Sequence, residues 1–209
     1  MQRVLVANRK GGCGKTLVSI TLASALAAAG GRVALADADP QKSSLRWLKR
    51  RPEGEAAIRA LDWSDGSEVG EAPKKLDWLV VDAPGALHGA GAEALVAEAD
   101  VVVVPVLPSV FDADSTKRFL ARIEEIGRVR KGRASVLLVA NRLKARARAT
   151  DRLDAFLAEL GRQPVARIAE RAIYGEMAER GLALFDRRQA RLAGAKGEWQ
   201  PLVAALAPG

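Results

Sequence analysis

RKGGCGKT, residues 9–16, lies between a short apolar run, VLVA (4–7), and a stretch from Thr16 to Ala29 that is apolar nearly all round. A phosphate-binding loop has the form G-x-x-x-x-G-K-[ST]. This octet satisfies it everywhere except at the first position, where Arg9 replaces glycine. A strand before the loop and a helix after it are the context that makes such a sequence a phosphate cradle rather than a chance glycine-rich turn. Gly11, Gly12 and Gly14 let successive backbone N–H groups face phosphate oxygens, and the helix N-terminus adds partial positive charge. Lys15 would reach the β- and γ-phosphates, and the Thr16 hydroxyl would ligate Mg2+. Cys13 occupies a free position of the loop, with its side chain able to point away from phosphate. The pattern leaves Lys10 unexplained: the loop carries one lysine at each end.

Outward from the loop, short apolar runs alternate with helical patterns. The strand candidates are 4–7, VALA (33–36), WLVV (78–81), VVVVPVL (101–107), SVLLVA (135–140) and PVARI (164–168). Near-continuous β-branched runs of this kind suit strands buried on both faces, as in a parallel sheet. Leu153, Phe156, Leu157 and Leu160 form one helical stripe, and Phe119, Leu120, Ile123 and Ile126 another. Residues 52–76 break the pattern with Gly, Pro and charge, although AAIRALD (56–62) reads as a short strand. Strands alternating with helices predict an α/β fold, a doubly wound, mainly parallel sheet flanked by helices, in one domain over 1–209.

The bulk composition agrees. The chain has 209 residues, 49% hydrophobic and 28% charged, enough for a core that needs no covalent staples. Its one cysteine excludes a disulfide framework and a multi-cysteine metal cage, and fits a reducing cytoplasm. No apolar run reaches the length of about 18 residues that a membrane span needs, and no signal peptide is visible. The net charge of +8 and a pI near 10.1 point to a polyanionic partner (nucleic acid, an anionic membrane surface or a nucleotide) or to compositional drift in an Ala-, Arg- and Gly-rich chain.

Two acidic segments end strands. DADPQ (37–41) closes the second, and Asp82 in WLVVDAPG closes the 78–81 strand. Ligands of open α/β sheets sit beyond the carboxyl ends of the strands, so both can converge on the loop. Asp82 after an apolar run reads as a Mg2+-holding carboxylate. Asp37 and Asp39 alternate, one near the metal and the other near the γ-phosphate water, unless either merely caps the next helix.

K-G-G-C-G-K-T, then D-A-D-P-Q, then V-V-D-A-P together resemble the deviant Walker ATPases of the ParA/MinD family, in the small ParA type that lacks an N-terminal helix-turn-helix. The resemblance covers most of the chain through the sixth strand and is looser beyond. It implies the P-loop NTPase fold, ATP and Mg2+ as cofactors, and slow, partner-stimulated hydrolysis. The nucleotide loop would then run over Gly11, Gly12, Cys13, Gly14, Lys15, Thr16 and Leu17, the last a position where many relatives have Thr or Ser. Lys10 would cross an ATP-dependent homodimer to the partner's phosphates, acting like an arginine finger supplied in trans. Asp39 would orient the attacking water, and Thr16, Asp37 and Asp82 would organise Mg2+. Asn141 matches the asparagine that reads the adenine edge; a turn asparagine is the alternative. PVLPS (105–109) with Asp112 resembles a loop near the nucleotide and the dimer face, and His88 reads as a solvated loop residue.

The basic surplus clusters twice: Arg142, Lys144, Arg146, Arg148 and Arg152 in RLKARARATDR, and Arg187, Arg188, Arg191 and Lys196 near the C-terminus. With no aromatic residues interleaved, they suit duplex phosphates better than stacked bases, or they are ordinary solvated arginines. Under the resemblance, non-specific double-stranded DNA and a ParB-like stimulating partner or cargo adaptor are the implied partners. A cytoplasmic, nucleoid-associated location follows, with partition or positioning of a plasmid, chromosome or protein cargo as the function. A MinD-like membrane protein is the alternative from another class, and a conjugation or T-DNA accessory ATPase of ParA type shares the whole constellation. The tail GEWQPLVAALAPG offers Trp199, Leu202, Val203 and Leu206 as an apolar strip. Pro201 interrupts it and no basic residue follows Lys196, which predicts a core-docking helix rather than a membrane anchor. A metal-centre maturation ATPase would need paired cysteines, and a small-molecule ligase or kinase would not need Lys10.

Overall fold

Seven strands form one sheet in the order β3-β2-β4-β1-β5-β6-β7, and every neighbouring pair is parallel. They are β1 (Gln2–Val6), β2 (Val33–Asp37), β3 (Ile58–Asp62), β4 (Trp78–Asp82), β5 (Val101–Val106), β6 (Ser135–Leu143) and β7 (Ala166–Ala169). The computed structural model describes residues 1–65, 69–85 and 89–206, without the side chains at 89, 90, 92 and 110–113. His88 and the Asp112 side chain lie outside the described residues.

The strand interiors explain the sheet's burial. Val4 and Val6 of β1 face one core, while Leu5 points to the opposite one, as the two-residue period of a strand requires. The first core holds α1 (Lys15–Ala28), Trp47 of α2 (Ser43–Lys49), Tyr174 of α7 (Ala172–Glu179) and the inner face of α8 (Ala193–Leu206). The second holds Val96 of α3 (Gly89–Glu98), Phe119, Leu120 and Ile123 of α4 (Val110–Glu125), and Leu153 and Leu157 of α6 (Arg148–Glu159). A four-residue helix, α5 (Gly127–Arg130), leads into β6. The stretch 56–62 is the edge strand β3.

α1 is apolar nearly all round because it is covered twice. The sheet lies on one side, and on the other lie a 3-10 turn at Leu184–Asp186 and α8. Gly181 permits that second cover: its φ is +68°, and a Cβ there would stand 2.3 Å from the Arg50 carbonyl. The tail differs from expectation in one respect. Pro201 does not break the strip but lies inside α8, whose Trp199, Leu202 and Leu206 are fully buried. Packing of that face holds the helix across the missing N–H. Among the described residues no helix is long and apolar enough to cross a membrane.

Chain order reverses about β1, which has β4 on one side and β5 on the other. The carboxyl ends of β1, β2, β4, β5 and β6 therefore open onto a single crevice at a topological switch point.

Candidate functional site

The loop 9–14 leaves β1 at that crevice and enters α1 through Gly14, whose φ of +92° marks the left-handed region. A Cβ on Gly14 would stand 2.5 Å from Asn141 Nδ2, so glycine is required by both backbone and neighbour. The N–H groups of Gly11, Gly12 and Gly14 meet no acceptor among the described residues. They are the free donors that an anion at a helix N-terminus would take. Cys13 is buried and its Sγ lies 3.2 Å from the Lys10 carbonyl, turned into the protein as expected.

Lys15 is 6% exposed, and its ammonium donates to the carbonyls of Lys10 (3.1 Å), Asn8 (3.3 Å) and Gly85 (3.5 Å). Neutral carbonyls are weaker partners for a buried cation than phosphate oxygens. Lys10, half-buried at the other end, has no acidic partner among the described residues.

β2 and β4 bring their terminal acids side by side, Asp37 in register with Asp82. Asp82 is 1% exposed. Its Oδ1 lies 3.2 Å from Ser19 Oγ, while Oδ2 has no hydrogen-bond partner among the described residues. Burial pushes the Asp82 carboxyl up to about 7; the Thr16 hydroxyl pulls it back, Asp37 adds to the rise, and Ser19 and Lys15 oppose it. An orphaned, buried oxygen beside a second carboxylate and a threonine hydroxyl fits a divalent cation.

Asp37 is more fully engaged than its strand position suggested. Its Oδ1 accepts the Asp39 N–H and its Oδ2 the Leu45 N–H, both at 3.0 Å, so it caps α2 as well as facing Asp82. Asp39 is held by Gln41 N–H on Oδ1 at 2.8 Å. Its Oδ2 lies over Gly85, 3.6 Å from where a Cβ of that residue would stand. Gly85 thus adjoins both Lys15 and Asp39. Asn141 is 1% exposed; Nδ2 donates to the Cys13 carbonyl at 2.9 Å, and Oδ1 is buried without a partner among the described residues. Leu17 is half-buried, with its side chain packed against the α1 core.

Two residues of the site escaped the sequence reading. Asn8 is 1% exposed and fixes the start of the loop: Nδ2 donates to Pro105 O (2.9 Å) and Thr116 Oγ1 (3.2 Å), and Oδ1 accepts Lys10 N–H. Ser19 bridges Lys15 O and Asp82. Its signal was available, a serine one helical turn past Lys15 on a mostly apolar helix.

The basic clusters divide. Arg142 and Lys144 both pair with Glu170, at 2.5 and 3.3 Å, and Arg142 sits at a register shift of β6 with φ of +54°. Arg146, Arg148 and Arg152 are exposed and unpaired among the described residues. In the second cluster Arg187 pairs with Glu55 at 2.5 Å, and Lys196 bonds the Arg187 carbonyl while covering the Phe185 ring. Arg188 is exposed, and among the described residues Arg191 reaches only Gln189.

Comparison with known proteins agrees with this geometry. A profile of the CobQ/CobB/MinD/ParA nucleotide-binding domain matches residues 4–185. Maintenance of carboxysome distribution protein A of Halothiobacillus neapolitanus is 33% identical over 188 residues, 87% of this chain and 85% of that protein. The chromosome-partitioning ATPase Soj of Thermus thermophilus is 32% identical over 157 residues, 60% of this chain and 63% of that one. The ATP complex of an McdA variant from Cyanothece superposes with a TM-score of 0.74 over 97% of this chain and 96% of that chain, at 17% identity.

Proposed function

Because this chain belongs to the CobQ/CobB/MinD/ParA nucleotide-binding family, we propose that it is a Mg2+-dependent ATPase that dimerises on ATP, binds duplex DNA without sequence preference and uses that cycle to position a cargo. The observation that carries the reading is the meeting of free loop N–H groups, a buried Lys15 and an unpartnered Asp82 oxygen at one crevice. Names of relatives give the cargo class: a carboxysome in one, a chromosome in another. The ATPase domain spans 1–209, and a ParB-like partner or cargo adaptor stimulates it at the nucleoid in the cytoplasm.

In this reading the loop residues 11–17 hold the phosphates, and Lys15 exchanges its three carbonyls for β- and γ-phosphate oxygens. Thr16 and Asp82 would hold Mg2+, with Asp37 beside them fixing the loop through its two backbone bonds. When bound, the ion would draw charge from the phosphate oxygens. Asp39, with Oδ1 fixed by Gln41, keeps Oδ2 to orient the attacking water. Asn141 Oδ1 is the acceptor left for the adenine edge. Lys10, with no acidic partner among the described residues, reaches the partner's phosphates across the dimer. The DNA surface is led by Arg146, Arg148, Arg188 and Arg191; Arg142, Lys144 and Arg187 join only when they leave Glu170 and Glu55.

Lys10→Ala and Asp39→Ala separate these roles. Lys10→Ala should bind ATP normally yet lose turnover by about a thousandfold, as for a charge supplied in trans. Asp39→Ala should accumulate an ATP-bound dimer in light scattering. Unchanged phosphate release in the first, or a strictly monomeric ATP form of the second, would remove the assigned role.

A further inference from the structure

A groove between α2 and the edge strand β3 lies outside the nucleotide crevice. Its volume is about 450 Å3, and its walls carry Lys42, Arg46 and Lys49 on one side and Ala60 and Asp62 on the other. The three cations recur at i, i+4 and i+7, so they share one face, and all are exposed. Asp62, the acid of the groove, is already paired with Lys42 at 2.8 Å.

The strand side is equally specific. Trp63 N–H donates to Asp37 O, and Asp37 is in register with Asp62. In a parallel ladder this turns the N–H and C=O groups of Arg59 and Leu61 toward β2, and those of Ala60 and Asp62 outward along the sheet edge. An edge of this kind is a template for one more strand.

We propose that this groove binds an extended acidic segment of a partner protein, which adds as a strand beside β3 and places its carboxylates on Arg46 and Lys49. Charge complementarity selects an acid, and the outward peptide groups of Ala60 and Asp62 select a polypeptide over a nucleic acid, whose phosphates cannot extend a β-ladder. The groove is wired to the site. Arg46 donates to the Gln41 carbonyl, Gln41 N–H holds Asp39 Oδ1, and the Lys42 N–H bonds Asp39 O at 2.8 Å. A carboxylate that draws Arg46 from Gln41 loosens the peptide that fixes Asp39. This coupling, unlike the binding, rests on the role proposed above for Asp39.

The test uses the full chain and a fluorescein-labelled synthetic peptide of alternating glutamate and valine, read by anisotropy and by amide exchange at Ala60 and Asp62. Expected are saturable, salt-weakened binding, protection of both amides, and affinity unchanged in Lys15→Ala. Lys49→Glu should weaken binding about tenfold or more, and Ala60→Pro, which removes an outward N–H while leaving the β2 ladder intact, about tenfold. Both variants should melt as the parent does; a variant that does not is replaced by Lys49→Gln or by the parent's amide protection as the deciding readout. Absence of saturable binding, indifference to both substitutions, or displacement of the peptide by duplex DNA without amide protection would overturn the proposal. Peptide binding that leaves ATP turnover unchanged would overturn the coupling alone. A parent chain that hydrolyses no ATP would overturn the ATPase reading and leave the groove standing.

Discussion

Helix α1 touches two buried carboxylates through two buried serines, and the protein treats the two acids in opposite ways. Ser24 Oγ donates to Asp186 Oδ1 at 2.8 Å, and Ser19 Oγ lies 3.2 Å from Asp82 Oδ1. Asp186 is saturated. Arg51 clamps both oxygens at 2.8 Å, the Ala183 N–H adds a bond at 2.7 Å, and the pair is 7% and 1% exposed. Arg51 in turn donates to Ala56 O and covers the Trp47 ring. Burial raises the Asp186 carboxyl, but Arg51, Ala183 and Ser24 outweigh it and hold it below its usual range. Asp82 keeps one oxygen unpartnered and is pushed up instead. A buried charge that serves the fold is completed by its own chain, whereas Asp82 is left incomplete, as the Mg2+ role proposed for it requires.

The sharpest way to break this contrast is Asp186→Ala. Leaving Arg51 buried without its acid should lower unfolding free energy by about 3–5 kcal/mol in urea denaturation. A loss near that of an exposed ion pair would mean that the network is ornamental. Next comes Lys15→Ala, which should weaken ATP binding about a hundredfold by calorimetry, the loss of charged hydrogen bonds to phosphate. Its ligand-free stability should change far less than that of Asp186→Ala, since the cation it removes makes its hydrogen bonds, among the described residues, to carbonyls.

The smallest effect concerns pH. With its folded carboxyl near 7 against an unfolded value of 3.8, Asp82 binds a proton more tightly when folded. Its contribution is therefore full below about pH 4 and is lost as pH rises to about 7. Asp82→Asn should flatten that fall and stabilise the ligand-free protein at pH 8 on the order of 1–2 kcal/mol, while weakening Mg2+-dependent ATP binding. Asp186 has the opposite sign: its contribution is present above the ordinary carboxylate range and disappears as pH falls through its lowered value. Parallel pH profiles for the two variants would contradict the contrast.

The sequence disclosed these two regions unequally. Asp82 stands after an apolar strand and in order with a glycine-rich loop, a local pattern with a physical reason, and the strand runs placed the sheet to within a few residues. Even AAIRALD proved to contain a strand, at the edge. Arg51 and Asp186 are separated by 135 residues and have no local signature, so only tertiary packing joins them. The same limit applies to Asn8, whose partners Pro105 and Thr116 are 97 and 108 residues away. It applies also to Glu170 and Glu55, which occupy cations that composition alone counts as available. Asp37 illustrates a third case: alternation placed it at the strand end, but its capping of α2 depends on where the next helix starts. Pro201 was misjudged because propensity describes an isolated helix, and α8 is held by its packed face.

The central claim is that nucleotide at the open site controls the basic surface. It is tested most directly by binding to a random-sequence DNA duplex with no nucleotide, ADP, ATP and a slowly hydrolysed ATP analogue, across a salt series. The account predicts binding confined to the two triphosphate states and falling steeply with salt. Binding indifferent to nucleotide, or none in any state, would contradict it.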